Sequence, residues 1–291
     1  MKNILISGGS GFIGRNLMEG LRFKYGVFAP QHNELDMLDY GALKRYVVGN
    51  KIDVIIHAAI HVPQFNGAER EYYNDMLMFL NLEKISTIVE KILYFGSGAE
   101  FDKRFDICEV TENDFGKSIP DSEYGLGKYT MTKLTRTSSN IYNLRLFGIF
   151  GKYELWNVKF ISNLCCKAVF SLPLSIRKDC RFNFLYIDDL VTVADWFIQH
   201  TPTYHDYNVC HDQNFMLSEL AEMVIRVSGK DLDICMLSDG LDLEYTANNQ
   251  RLHTEMSVFA PMQMEDSISS LYRFYEQNKA LIDLDILKAS R

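Results

Sequence analysis

The chain opens on the stretch Ile4-Leu5-Ile6-Ser7-Gly8-Gly9-Ser10-Gly11-Phe12-Ile13-Gly14. Three apolar residues, a run of small ones and an apolar-periodic segment predict a buried strand, a tight turn and the start of a helix. We expect Gly8 to adopt the turn's unusual backbone angles, Gly11 to let the main chain approach a ligand, and Gly14 to let the helix pack against its strand. Unpaired amides at a helix start can bind a pyrophosphate. The stretch therefore predicts a dinucleotide site rather than a purely structural turn, with contacts from Gly8, Gly11, Phe12, Ile13 and Gly14.

Composition limits the class of protein. The 291 residues are 47% hydrophobic, which suits one large α/β domain or such a domain with an added lobe. The net charge of −8 argues against binding nucleic acid or an anionic membrane surface. No run reaches the roughly 18 apolar residues of a membrane span. Because Met1-Lys2 leads straight into the first strand, we expect no signal peptide and a cytoplasmic location.

The six cysteines indicate neither a metal site nor disulfides. They include no Cys-x-x-Cys pair, and no histidine lies at a spacing typical of zinc ligands. We therefore expect reduced thiols and no bound metal.

The second predicted strand, Val27-Phe28-Ala29, bears on the choice of cofactor. NAD-preferring sites usually end this strand with an acidic residue that binds the adenosine ribose. Here Pro30, Gln31 and His32 follow, and the first carboxylate is that of Glu34. A 2′-phosphate would not be repelled, and His32 or Arg15 could approach it, although both also suit a solvated surface. The sequence slightly favours NADP over NAD.

Two later strands end where chemistry is expected. Asp53 to Ala59 reads as a buried strand with small residues, Ala58 and Ala59, at its carboxyl end. Lys91 to Phe95 reads as the next strand, and Ser97 lies in the turn that follows it. Ligands in open α/β sheets bind at the carboxyl ends of the strands, so Ser97 is a candidate catalytic residue.

Tyr124 and Lys128 lie four residues apart at the start of a predicted helix and so share one face. An ammonium near a phenol favours the phenolate, which would bring the tyrosine pKa toward neutrality and create a general acid or base. A Tyr-x-x-x-Lys pattern also arises by chance. Its position after a strand-end serine and an N-terminal dinucleotide turn favours catalysis.

With these features in place the chain resembles the extended short-chain dehydrogenases/reductases, the NAD-dependent epimerase/dehydratase family that modifies nucleotide sugars. Ser7 to Gly14 is similar to the family's Gly-x-x-Gly-Phe-Ile-Gly signature, and Ser97, Tyr124 and Lys128 match its catalytic serine, tyrosine and lysine. Further similar segments are Asp36-Met37 at the adenine, His57-Ala58-Ala59 under the cofactor, Leu144 to Gly151, Arg181 to Leu190, and Tyr207-Asn208-Val209.

The resemblance implies a fold. It implies a Rossmann-type, doubly wound sheet of seven mostly parallel strands that binds NAD(P), and a smaller C-terminal lobe that holds a nucleoside-diphosphate sugar. The dinucleotide-binding domain would comprise residues 1–151 and about 186–207, and the discontinuous lobe residues 152–185 and 208–291. A homodimer is implied, formed through helices at Glu71 to Val89 and Tyr124 to Ser139.

The resemblance also implies roles. Tyr124 would exchange a proton with a sugar hydroxyl, and Ser97 would hydrogen-bond the same oxygen. Lys128 would bind the nicotinamide ribose and depress the tyrosine pKa, and Tyr124 would also contact the cofactor. Related dehydratases carry an Asp-Glu pair where this chain has Gly98 and Ala99, and epimerase-reductases similar to fucose synthase carry a cysteine at the position of Ala99. Dehydration and 3,5-epimerisation are therefore disfavoured.

Two sugar reactions stay open. They are reduction of a 4-keto (6-deoxy) sugar nucleotide, which we favour, and C4 epimerisation. Family asparagines align with Asp75 and Gly148, which leaves the details of substrate contact open. The expected substrate-binding residues are Ser97, Gly98, Ala99, Gly148, Arg181 (or Arg177) and Arg251. A different class of function, a non-catalytic NADP-sensing module, is disfavoured because Ser97, Tyr124 and Lys128 are all present.

Overall fold

A computed structural model describes residues 1–60 and 71–290 of the chain. The strands are β1 (Asn3–Ser7), β2 (Gly26–Phe28), β3 (Val54–His57), β4 (Lys91–Ser97), β5 (Ile107–Val110), β6 (Ile141–Leu146), β7 (Gly148–Phe150), β8 (Leu174–Ile176), β9 (Arg181–Phe182), β10 (Phe184–Tyr186), β11 (Asp206–Val209), β12 (Phe215–Met216), β13 (Ile234–Met236) and β14 (Tyr245–Ala247). The α-helices are α1 (Phe12–Leu21), α2 (Tyr40–Gly49), α3 (Glu71–Ile85), α4 (Glu123–Thr135), α5 (Phe160–Val169), α6 (Ile187–Gln199), α7 (Leu217–Ser228), α8 (Gln250–Glu255), α9 (Met264–Gln277) and α10 (Leu284–Ala289).

The central sheet is parallel. Its six strands follow the order β11-β6-β4-β3-β1-β2, with β1 pairing in parallel with both β2 and β3. The predicted α/β class with a Rossmann-type parallel sheet is confirmed. The resemblance implied seven strands, and the described residues form six in this sheet.

Helices cover both faces of this sheet. In β1, Ile4 and Ile6 pack in one buried cluster with residues of α1 and α6, whereas Leu5 packs in a second cluster with residues of α2, α3 and α4. Successive side chains on a strand point to opposite faces, so a continuous apolar run is needed where both faces are buried. This explains why the short runs around β1, β3 and β4 predicted buried strands.

The C-terminal part of the chain builds a smaller lobe beside the sheet. Helices α5, α7 and α9 pack against one another, and β9 lies between β12 and β14 in a four-stranded sheet. The fourth strand of that sheet is β5, which pairs with β14 although the predicted division assigns it to the dinucleotide-binding domain. The lobe and the central sheet therefore meet through the segment that follows β4, and the domain limits stay a prediction.

Helix limits differ slightly from the predictions. The helix expected over Glu71 to Val89 ends at Ile85, and a short 3₁₀ helix, Ser86–Ile88, follows it. The helix expected from Tyr124 to about Ser139 is α4, Glu123–Thr135. Among the residues described, no helix is long and apolar enough to cross a membrane.

Candidate active site

The glycine turn after β1 is tightly packed. Gly8 has a φ of +71°, in the left-handed region that favours glycine, and a Cβ there would lie 2.8 Å from the Cα of Ala59. A Cβ on Gly14 would lie 2.1 Å from the carbonyl oxygen of Gly8. The turn therefore brings α1 against the carboxyl ends of β1 and β3 at a separation that only glycine permits.

The start of α1 fits a bound pyrophosphate. Gly11 is the N-cap residue, no side chain caps the helix, and its first turn holds no acidic residue. The first amides of a helix lack intrahelical acceptors, so those of Phe12 and Ile13 can donate to an anion. The predicted cofactor residues of this stretch thus lie together in a geometry that suits NAD(P).

The predicted adenine-contacting pair follows β2. The Asp36 carboxylate accepts a hydrogen bond from the main-chain N–H of Leu38 at 2.9 Å, and Met37 is buried. Arg15, considered above for a 2′-phosphate, lies over the Tyr153 ring at 3.6 Å from its centroid, whereas His32 is exposed. The contacts of Arg15 and His32 do not place either side chain in a position to bind a 2′-phosphate.

A buried serine–histidine pair lies under the expected cofactor position. Ser7 Oγ and His57 Nδ1 are 2.7 Å apart, and the amide of Ala59 donates to Ser7 Oγ at 3.4 Å. Burial, assisted by the charge of Lys128, lowers the pKa of His57 to about 3. His57 is therefore neutral at cellular pH and holds the end of β3, where Ala58 and Ala59 lie.

Ser97 lies at the carboxyl end of β4, as predicted. It is 8% exposed and caps a short 3₁₀ helix, Gly98–Phe101, by accepting a hydrogen bond from the amide of Ala99 at 3.2 Å. Its own main-chain N–H donates to Glu100 Oε1 at 2.9 Å. The serine is thus held from both its side chain and its main chain.

Helix α4 approaches the Ser97 turn closely. Ser122 caps the helix by accepting from the amide of Gly125 at 3.1 Å, and a Cβ on Gly125 would lie 2.8 Å from the Ala99 carbonyl oxygen. Tyr124, in the first turn of α4, is 42% exposed, so its ring borders solvent near this turn. The structure therefore brings Ser97 and Tyr124 to the same edge of the sheet.

Lys128 lies one turn further along α4 and is buried. Its Nζ donates to the Phe95 carbonyl oxygen at 2.9 Å and lies 5.9 Å from the centroid of the Tyr124 ring. Burial lowers the pKa of Lys128, and the negative charges of Asp75 and Glu100 oppose that shift. The ammonium thus lies close enough to favour a phenolate at Tyr124, the relation predicted from their spacing.

Tyr245, from β14 of the lobe, completes this edge and was missed by sequence reasoning. Its hydroxyl interacts with the Ser97 side chain, which lowers the pKa of Tyr245, but burial has the larger effect and raises that pKa. A Cβ on Gly98 would lie 2.5 Å from both the Tyr245 hydroxyl and Phe147 Cδ1. Gly98 is therefore required by packing. No motif marked Tyr245, because only tertiary folding brings β14 to β4.

Lys103 is a second residue that sequence reasoning missed. Its Nζ lies 4.5 Å from the centroid of the Tyr245 ring. Burial lowers its pKa, and the positive charge of Lys159 adds to that shift. Lys103 thus lies near the ring that contacts Ser97, and the charge of Lys159 acts on Lys103.

The residues expected to bind substrate from the lobe are more dispersed. A Cβ on Gly148 would lie 2.6 Å from Phe184 Cδ1, so this glycine allows β7 and β10 to pair. Arg181 is exposed on β9, and the next side chain, Phe182, packs on Tyr245 with ring centroids 4.8 Å apart. Because neighbouring side chains on a strand alternate, Arg181 points away from that ring. Arg177 pairs with Asp242 at 3.2 Å.

Arg251, in α8, contacts the amino-terminal end of β11, an edge strand of the central sheet. It donates to the carbonyl oxygen and the carboxylate of Asp206, at the start of β11, both at 3.0 Å. It also lies 3.6 Å from Glu112 Oε2 and over the Tyr204 ring. The surrounding cavity of about 440 Å³, the ion-pair cleft, is lined by Glu112, Asn113, Arg136, Thr203, Tyr204, His205, Asp206 and Arg251.

Within residues 1–60 and 71–290, no group of three or more His, Cys, Asp or Glu side chains is arranged to hold a metal ion. The six cysteines lie in this part of the chain and are all free thiols.

Comparison with known proteins identifies the family. The chain is 24% identical over 305 residues to GDP-L-colitose synthase of Yersinia pseudotuberculosis, covering 95% of this chain and 98% of that protein. The structure of GDP-L-fucose synthetase from Naegleria fowleri bound to NADP matches with a TM-score of 0.84 at 17% identity, covering 96% of this chain and 94% of that one. GDP-mannoheptose C4 reductase from Campylobacter jejuni, with NADP bound, matches with a TM-score of 0.79 at 17% identity, covering 94% and 98%.

The profile of the NAD dependent epimerase/dehydratase family matches residues 4–210, well over half of the chain. The resemblance drawn from the motifs is confirmed, and with it the prediction of an NAD(P)-dependent enzyme. The chain belongs to the NAD dependent epimerase/dehydratase family.

Proposed function

We propose that this enzyme reduces the 4-keto group of a nucleotide-linked 6-deoxy sugar. The observation that carries the proposal is the convergence of Ser97, Tyr124 and Lys128 at one edge of the sheet, beside a turn that offers no further acid or base for a second reaction. Gly98 and Ala99 supply no proton donor. Ketone reduction needs only one proton donor and one oriented hydrogen bond to the carbonyl.

Glu100, the carboxylate of that turn, is unsuited to acid–base work on a sugar. It is fully buried and pairs with Arg145, with 2.7 Å between Oε2 and Nε. Its two oxygens are held by Arg145 and by the main-chain N–H of Ser97, so the carboxylate is turned into the interior and away from a bound sugar. This arrangement disfavours dehydration and 3,5-epimerisation, both of which need an additional acid or base at the sugar.

The residues divide the work as follows. NAD(P)H, when bound, supplies the hydride that adds to the carbonyl carbon. Tyr124 donates its hydroxyl proton to the carbonyl oxygen and recovers a proton from solvent. Ser97 donates a hydrogen bond to the same oxygen as its negative charge develops, and Lys128 lowers the cost of the phenolate left on Tyr124.

The cofactor would be held by the glycine turn, by the amides of Phe12 and Ile13, and by Ala58, Ala59 and Lys128. We propose a slight preference for NADP(H). Glu34, the first carboxylate after β2, accepts a hydrogen bond from the Gln31 amide at 2.7 Å, which occupies it locally.

The substrate's diphosphate would meet lysines rather than the predicted arginines. Lys103 lies over Tyr245, whose hydroxyl contacts Ser97, and the charge of Lys159 acts on it. The role predicted for Arg181 and Arg251 stays a prediction, and their positions do not favour it. Arg181 is exposed on the far side of β9, and Arg251 is paired with Asp206. GDP-linked sugars are the first substrates to test, because the similar proteins include a GDP-L-colitose synthase and a GDP-L-fucose synthetase.

We also propose a homodimer formed through α3 and α4. The two helices lie side by side, and Tyr73 and Leu126 are exposed apolar residues on them. Light scattering of the purified chain tests this, and a monomer at micromolar concentration would contradict it.

C4 epimerisation is the runner-up, since Ser97, Tyr124 and Lys128 also suffice for reversible hydride transfer. A non-catalytic NADP sensor is a more distant alternative. Reductases exchange their cofactor at each turnover, whereas epimerases recycle it and tend to retain it.

The experiment supplies NADPH with 4-keto-6-deoxy sugars linked to GDP, UDP or dTDP. We expect net oxidation of NADPH with one of them. Interconversion of C4 epimers without net oxidation would establish the epimerase instead. A wild-type enzyme that binds NADPH and turns over none of these sugars would contradict the reductase proposal.

A further inference from the structure

Glu100 is a charged side chain buried directly behind Ser97. Both Glu100 and its partner Arg145 are completely inaccessible to solvent. Glu100 Oε2 accepts from Arg145 Nε at 2.7 Å, and Oε1 accepts from the main-chain N–H of Ser97 at 2.9 Å. Burying two charges costs stability that their mutual attraction often fails to offset. A buried pair at this position therefore calls for a role beyond stability.

The carboxylate is held rigidly from the far side. Arg145 Nη1 donates to Asn208 at 2.9 Å and Nη2 to Asp206 at 3.0 Å, so the guanidinium is fixed by β11. The side-chain nitrogen Nδ2 of Asn143 donates to Glu100 Oε1 at 3.4 Å. Its side-chain oxygen Oδ1 accepts from the main-chain N–H of Gly96 at 2.8 Å. The support under Ser97 is thus a network anchored on β6 and β11.

Ser97 depends on this support more than an ordinary strand residue does. Its hydroxyl accepts from the Ala99 amide at 3.2 Å, and the Tyr245 hydroxyl lies against the next residue, Gly98, so the surroundings of Ser97 depend on the shape of the turn after β4. That shape is set by the bond between the Ser97 amide and Glu100. An oriented donor works only within a few tenths of an ångström of the productive position.

We propose that Glu100 is a positioning residue, whose buried carboxylate, clamped by Arg145, fixes the Ser97 hydroxyl for hydrogen bonding to the reacting sugar oxygen. This inference rests on the proposed function, because it assumes that Ser97 acts on the substrate. It assigns Glu100 no proton transfer.

Shortening Glu100 tests the proposal. Glu100→Asp keeps the charge opposite Arg145 but withdraws the carboxylate from the Ser97 amide by one methylene. Glu112→Asp is the matched control, because Glu112 is also a buried glutamate and its Oε1 accepts from the main-chain N–H of Asn208 at 2.7 Å. The variants to compare are E100D, E112D, S97A and the double variant S97A/E100D.

We expect E100D to lower kcat about 10- to 100-fold, while KM and the Kd for NADPH change less than about threefold. S97A should lower kcat about 100-fold. The double variant should match S97A within about twofold, since a residue that acts through Ser97 has no further effect once the hydroxyl is gone. E112D should keep the wild-type kcat. If E100D does not fold, E100Q serves instead, because the NH2 group that replaces one carboxylate oxygen cannot accept from the donor it faces, Arg145 or the Ser97 amide.

Several results would overturn the proposal. They are a wild-type kcat in E100D, losses that multiply in the double variant, or an equal loss of kcat in E112D. A wild-type protein without sugar turnover would refute the proposed function instead. Crystal structures of the wild type and E100D then decide this inference separately. We expect the Ser97 hydroxyl to leave Tyr245 in E100D, and an unmoved Ser97 would refute its positioning by Glu100.

Discussion

Charged side chains are buried at both ends of the central sheet, but the balance between burial and neighbouring charges differs between the two ends. At the edge formed by Ser97, Tyr124, Lys128 and Tyr245, where we propose that catalysis occurs, burial lowers the pKa of Lys128 against the opposing charges of Asp75 and Glu100. In the ion-pair cleft, burial alone would raise the pKa of Asp206, and the charge of Arg145 with the hydrogen bond from Arg136 outweighs it and lowers that pKa.

For Lys128 the effect of burial on the pKa outweighs the effect of the neighbouring charges, whereas for Asp206 the neighbouring arginines outweigh the effect of burial. Burial lowers the pKa of Lys128, and its Nζ lies 5.9 Å from the centroid of the Tyr124 ring, the group that its charge acts on. Asp206 is held in its charged state by arginines on three other elements of the structure. Charged residues in a cavity therefore indicate catalysis only where the pairing is incomplete.

Removing the phenol should give the largest effect. We expect Tyr124→Phe to lower kcat about 1000-fold, because a general acid contributes roughly 10²- to 10⁴-fold, and to weaken NADPH binding far less, because only the hydroxyl is removed. Tyr204→Phe, in the ion-pair cleft, is the matched control and should keep full activity. Steady-state kinetics and cofactor titration measure both. Equal activity of the two variants would remove the distinction between the two ends of the sheet.

Arg251 should matter for stability rather than for substrate. Arg251→Ala leaves Asp206 and Glu112 without one partner, and we expect it to lower the free energy of unfolding by about 2 kcal/mol with KM unchanged. Urea unfolding and kinetics on the same preparation test this. A tenfold rise in KM with little loss of stability would restore the predicted substrate role of Arg251.

Lys103 should matter for substrate rather than for stability. Lys103→Ala is expected to raise KM for the sugar nucleotide about tenfold, the effect of losing one charged hydrogen bond, with kcat largely kept. Lys44→Ala, an exposed lysine on α2, is the control. An unchanged KM in K103A would direct the search back to Arg181.

Asp206 in the ion-pair cleft should also account for part of the stability that the protein loses as the pH falls. The lowered pKa of Asp206 contributes stability that is present above the unfolded value of about 4 and is lost as pH falls through the lower folded value. Arg136→Gln removes one cause of the lowered pKa, the hydrogen bond to Asp206, so the unfolding free energy of this variant should fall less than that of the wild type between about pH 5 and pH 3, by about 1 kcal/mol. Identical acid dependence of the two proteins would contradict this role.

Local patterns predicted much of this protein. The glycine turn, the strand ending at Ser97 and the pair Tyr124 and Lys128 depend on residues close in sequence, and the structure brings them to one edge. Tyr245 and Glu100 were missed because their roles depend on contacts with distant strands. Arg251 was chosen for its chemistry alone, and its partners lie on β11 and in the segment after β5, which no local pattern links to it.

The most direct test of the central claim follows the hydride itself. NADPH carrying deuterium at the transferred position of the nicotinamide is incubated with the enzyme and a nucleotide-linked 4-keto-6-deoxy sugar, and the products are analysed by mass spectrometry and NMR. We predict one deuterium at C4 of the sugar for each NADPH oxidised. Sugars that exchange C4 configuration while the labelled NADPH is conserved would contradict the account.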